Sequence, residues 1–88
     1  MKIHGEFVVR QVMDDTVAIP AGKTALQFNG MILLNDVSKV IWECLEQETD
    51  VECIVTALTE RYAVSAEEAR TDVQEFLDKL RLAQLLEE

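Results

Sequence analysis

At Asn35 the spacing of apolar residues changes from about two to between three and four, and this switch restricts the chain to strands followed by helices. Before it, Phe7-Val8-Val9-Arg10-Gln11-Val12-Met13 is β-branched and apolar, and Asp14-Asp15 supplies a turn. Thr16-Val17-Ala18-Ile19 then alternates between two faces, which completes a hairpin pattern. Pro20-Ala21-Gly22 ends that unit. Ala25-Leu26-Gln27-Phe28 and Met31-Ile32-Leu33-Leu34 flank Asn29-Gly30, the dipeptide best suited to the positive φ angles of a type I′ turn. The last of these runs is almost wholly apolar, so it is expected to lie against other structure on both faces.

Beyond Leu34 the pattern is helical. Asn35 is placed to cap a first helix, since its side chain accepts from free backbone N–H groups, and Val37, Val40, Ile41, Cys44 and Leu45 form one stripe. Thr49-Asp50-Val51-Glu52 reads as a capping box for a second helix with Val51, Ile54, Val55, Leu58 and Tyr62 inward. Ser65-Ala66-Glu67-Glu68 reads as another box, opening a third helix with the stripe Ala69, Val73, Phe76, Leu77 and Leu80. The predicted strands are near residues 6–13, 15–20 and 31–34, and the helices near 36–47, 50–62 and 66–83. The fold class is therefore α+β: a small antiparallel three-stranded sheet followed by three helices, winged helix-turn-helix-like. The third helix ends somewhere in residues 82–88, where no glycine marks the stop.

The 88 residues suffice for a single domain, residues 1–88, and 49% of them are apolar, too many for a disordered chain. No run approaches the ~20 apolar residues of a membrane span, and the N-terminus lacks the apolar core of a signal peptide. A cytoplasmic protein is expected. Cys44 and Cys53 stand too far apart for a C-x-x-C pair and read as free thiols; with His4 the one histidine, a zinc site lacks ligands. The net charge of −9 opposes association with nucleic acid or anionic membrane.

Catalytic patterns are missing from the sequence. The glycines at 5, 22 and 30 make no phosphate cradle, and the acidic residues fall mostly on solvent faces of helices. No cofactor and no enzymatic activity are expected. A helix-turn-helix invites a DNA-binding reading, but the third helix carries Glu67, Glu68, Asp72, Glu75 and Asp78 against Arg70, Lys79 and Arg81. That balance costs energy between phosphates. Peptide binding is left: if residues 31–34 form a sheet edge, its unpaired N–H and C=O groups can accept an added strand, with the third helix walling a groove beside it. A wholly buried core strand is the competing reading of those residues.

Phe28-Asn29-Gly30-Met31-Ile32-Leu33-Leu34-Asn35, followed by Val40-Ile41-Trp42, resembles the PqqD-like family, in which a last strand runs into Leu-Asn and then a helix bearing an apolar residue and Trp. Residues 49–62, with Val51, Ile54, Leu58 and Tyr62, resemble the family's second helix; Asp72-Val73, Phe76-Leu77 and Leu80 resemble its third. The resemblance spans roughly residues 6–86, and it departs at Gln84, where the family often has glycine. It implies a recognition element for ribosomally made precursor peptides. Such an element binds the leader segment by strand addition and presents the peptide to a modifying enzyme, often a radical SAM enzyme.

The candidate peptide-binding residues are Met31, Ile32, Leu33 and Leu34 on the strand, with Arg70, Val73, Gln74, Leu77 and Arg81 on the third helix. At least two of Val73, Phe76, Leu77 and Leu80 are expected in the core. Arg70, Gln74 and Arg81 flank the stripe as a groove rim, where arginine would meet an acidic leader residue or remain solvated; Asp72, on the opposite flank, reads as structural. Trp42 lies off its helix's main stripe and implies a second packing surface, and Cys53 is expected at the surface. The readings that compete with leader binding are a winged-helix DNA-binding regulator and a non-catalytic structural subunit of an enzyme complex.

Overall fold

The computed structural model describes residues 1–88. Two strands, β1 (Lys2–Ile3) and β2 (Phe7–Val12), open the chain, and β2 pairs antiparallel with β3 (Asp15–Pro20). Their loop is Met13 and Asp14, one residue earlier than the sequence suggested, and Met13 has a φ of 58°. A positive φ at the first of two loop positions belongs to a type II′ turn, whose twist matches that of the strands.

The Asn29-Gly30 pair does not turn a second hairpin. The residues before it form a single helical turn, α1 (Thr24–Gln27), in which Phe28 N–H donates to the Thr24 carbonyl at 2.9 Å. Thr24 Oγ1 accepts from Glu6 N–H at 2.8 Å, tying this turn to the start of the sheet. Only Gly30 of the pair has positive φ (98°), whereas a type I′ turn requires it at both positions.

Strand β4 (Ile32–Leu34) then pairs antiparallel with β3, setting Thr16 beside Leu34, Val17 beside Leu33 and Ala18 beside Ile32. The sheet order is β2-β3-β4, so β4 is an edge. Two-sided burial of this run, expected from its composition, is not what forms. Leu34 is 3% exposed, but Leu33 is 65% and Met31 58% exposed, because an edge strand lacks a neighbour on its outer flank.

Helices α2 (Asp36–Leu45), α3 (Val51–Arg61) and α4 (Ala66–Leu82) complete the α+β fold and correspond to the three helices read from the sequence. Asn35 caps α2 as expected, and Ser38 returns the bond: each side chain accepts from the other's backbone N–H at 2.8 Å. Asp50, not Thr49, caps α3, accepting from Cys53 N–H at 2.8 Å. That bond holds the Asp50 carboxyl below the usual carboxylate range. Glu52 is therefore free of the anticipated box and pairs instead with Arg70 of α4. Ser65 caps α4 through Glu68 N–H at 3.1 Å.

One core joins these parts. Ile41 and Leu45 of α2, Ile54 and Leu58 of α3, and Ala69, Val73, Leu77 and Leu80 of α4 are each at most 2% exposed and pack with Ala18 and Leu34 of the sheet. Trp42 makes the second packing surface: it meets Phe7 edge to face at 5.2 Å, and Phe7 meets Phe28 at 5.8 Å. Cys53 is exposed, and no helix is long and apolar enough to cross a membrane.

The end of α4 is a Schellman motif. Leu85 N–H donates to the Leu80 carbonyl at 2.9 Å and Gln84 N–H to the Arg81 carbonyl at 3.0 Å, while buried Leu80 and Leu85 supply the motif's apolar contact. Gln84 thus occupies the left-handed position with a φ of 60°, a conformation that favours glycine. Gln84→Gly is expected to stabilise the fold by about 1 kcal/mol, the relieved strain outweighing the entropy that glycine adds to the unfolded chain. Urea melts of the two proteins would measure it. The motif also turns the chain so that β5 (Leu86–Glu87) pairs with β1 in a second, two-stranded sheet that the sequence did not reveal.

Candidate functional site

The unpaired flank of β4 borders a groove of about 350 Å³ whose opposite wall is α4. Its deepest residues are buried ones: Ile41 of α2, Leu80 of α4 and Leu85. Half-buried Phe28, Ile32, Val37 and Phe76 form the sides. Nine of the 14 lining residues are apolar, and the charged ones, Asp72, Glu75 and Lys79, stand exposed at the rim. Ser38 also lines the groove, but its hydroxyl is committed to the α2 cap. The surface offered is an apolar trough beside a strand edge, with ionic groups only at the lip.

The four strand residues named from the sequence divide by the pleat. Ile32 lines the groove, Leu33 stands at its exposed edge, Leu34 is core and Met31 lies open just before the strand. On α4 the expected residues do not meet the groove. Val73 and Leu77 are 0% exposed and lie in the core, which agrees with the expectation that at least two of that stripe are core. Arg70 donates to both carboxylate oxygens of Glu52 at 2.8 Å, and with Gln74 it lines a separate depression that has no apolar residue. Arg81 is held by Asp78 at 3.1 Å and Glu88 at 3.0 Å.

The face of α4 that does wall the groove is Asp72, Phe76, Lys79 and Ala83, a stripe at three- and four-residue spacing on the other side of the core stripe. The flank of Arg70 faces α3, as its pair with Glu52 records, so β4 and the groove take the opposite flank. Asp72, read from the sequence as structural, is a rim residue. The signal that distinguishes the two flanks is Phe76: the stripe of Asp72, Phe76, Lys79 and Ala83 contains apolar residues beyond those the core consumes, and Arg70, Gln74 and Arg81 contain none.

A family model described as Coenzyme PQQ synthesis protein D (PqqD) matches residues 12–86. None of the curated proteins matches the chain. Among solved structures, it is similar to TbiB1 in complex with the TbiA(beta) leader peptide, with 29% sequence identity and a TM-score of 0.74 over 99% of this chain and 95% of that one. With most of its length matched by the family model and the strand-then-helix order in place, the chain belongs to the PqqD family.

Proposed function

We propose that the protein binds the leader segment of a ribosomally made precursor peptide as an added strand on β4 and presents the remainder of the peptide to a modifying enzyme, with no catalysis of its own. The observation that carries this reading is the juxtaposition of an unpaired strand edge with an apolar groove walled by α4. Main-chain pairing along residues 31–34 supplies register, and alternate side chains of the added strand enter the groove beside Phe76 and Val37. The likeness to TbiB1, itself solved with a leader peptide, supports the same use of the fold here. Holding the leader raises the effective concentration of the attached segment at the enzyme, which accounts for a useful protein without a reactive centre.

The test is fluorescence anisotropy with a labelled leader from the short precursor encoded nearest the gene, run beside a labelled DNA duplex. Saturable leader binding that unlabelled leader displaces is expected, with no comparable signal from the duplex. Duplex binding that weakens steeply with salt, without leader binding, would replace this reading with the winged-helix one.

A further inference from the structure

We infer that the groove reads the charge order of its peptide: it favours a basic side chain at the N-terminal end of the added strand. This inference rests on the leader-binding reading above. At the C-terminal end of β4, Leu33 and Asn35 are shared between the groove and a second depression lined by Asp14, Asp15 and Asp36. The β3–β4 ladder explains the convergence, since pairing of Thr16 with Leu34 brings Asp15 and the preceding turn to that end of the strand. On the α4 side of the groove stand Asp72 and Glu75. None of these five carboxylates is in an ion pair, although the two arginines of α4 are both neutralised, Arg70 by Glu52 and Arg81 by Asp78 and Glu88.

The opposite end of the groove differs. Phe28 shares a further depression with Ala83 and Leu85, so the C-terminal end of α4 lies at the start of β4. Lys79, one turn before Ala83, is the single cation of the groove and is likewise unpaired. The sheet is antiparallel throughout, and a peptide that continues this pattern on the free flank of β4 begins where β4 ends. Its N-terminal residues therefore enter a field of unpaired carboxylates, and its later residues pass the lysine. An arginine or lysine early in the strand is attracted by those carboxylates and stands away from the lysine, while an acidic residue there is repelled. The preference runs opposite to the acidic-leader pairing with Arg81 that the sequence suggested, because Arg81 is already satisfied by two carboxylates.

The experiment is selection of a phage-displayed library of random 12-residue peptides on the intact protein, repeated on the double variant Asp72→Lys, Glu75→Lys. Enriched peptides are expected to share alternating apolar residues preceded by Lys or Arg, and the basic preference is expected to weaken on the variant. Replacing that basic residue with Glu in one selected peptide should lower affinity by about fivefold at low salt, a ratio that shrinks as salt rises. Enrichment of the apolar pattern with no charge order would overturn this inference and leave leader binding standing. No enrichment above a protein-free control would overturn both. Both substitutions lie on an exposed helical face, and thermal melts of the variant are to be run beside the selection to check its fold.

Discussion

Phe76→Asp is expected to remove most of the affinity for a leader peptide while the protein still folds. Phe76 is half-buried on the groove side of α4, so the change places a carboxylate in the trough that the added strand must desolvate. Aromatic anchors at the centre of such sites commonly contribute about 2 kcal/mol or more, which corresponds to a loss of at least ~30-fold. Phe76→Leu keeps an apolar wall and should retain much of the binding. Titration calorimetry with the leader, read beside thermal melts, separates lost contact from lost fold. An unchanged affinity in folded Phe76→Asp would remove α4 from the site.

Leu77→Ala should have the converse effect. Leu77 neighbours Phe76 in sequence, but it is fully buried, and truncating such a leucine costs about 2–5 kcal/mol through lost burial and the cavity left behind. For a domain of this size that is a large part of the total stability, and the melting temperature should fall by roughly 10 °C or more. Below the transition, affinity for the leader should stay close to that of the parent protein, because Leu77 is 0% exposed and lines no part of the groove. A large drop in affinity at full folding would mean that the peptide displaces α4 from the core.

These adjacent positions also mark how far the sequence could be read. Helical periodicity located α4 and its core stripe because burial against one face imposes a period that neighbours cannot imitate. It did not say which flank of the stripe meets the sheet. Both flanks carry polar residues, and the choice depends on where α3 and β4 sit, which is a matter of tertiary placement. Phe76 was the residue to weigh, since its ring exceeds what the stripe needs for the core.

Similar reasons govern the strands. The β2–β3 hairpin was legible from β-branched alternation, but Asn29-Gly30 offered a turn that the preceding residues do not use, since Thr24 draws them into a helical turn against the sheet. A continuous apolar run suits a strand buried on both faces, and Met31-Ile32-Leu33-Leu34 has that composition. Its place at the sheet edge leaves Leu33 open instead, and that departure belongs to the proposed site. Asp50 in place of Thr49 as the α3 cap shows a smaller ambiguity: of two adjacent candidates the aspartate is the better N-cap, and the box pattern drew the reading to the threonine. Gln84 gave no sign of the helix end because the left-handed turn is held by the Leu80–Leu85 contact and not by a glycine.

The central claim is that a peptide joins β4 as a strand and lies against the Phe76 face of α4. Its most direct test is an amide chemical-shift titration of isotope-labelled protein with the leader of the precursor encoded nearest the gene. The largest shifts, together with slowed amide exchange, are expected at residues 31–35 and along residues 72–83, with α3 little changed. Shifts gathered on α3 and the Met13-Asp14 turn, with residues 31–35 and 72–83 unmoved, would contradict the account.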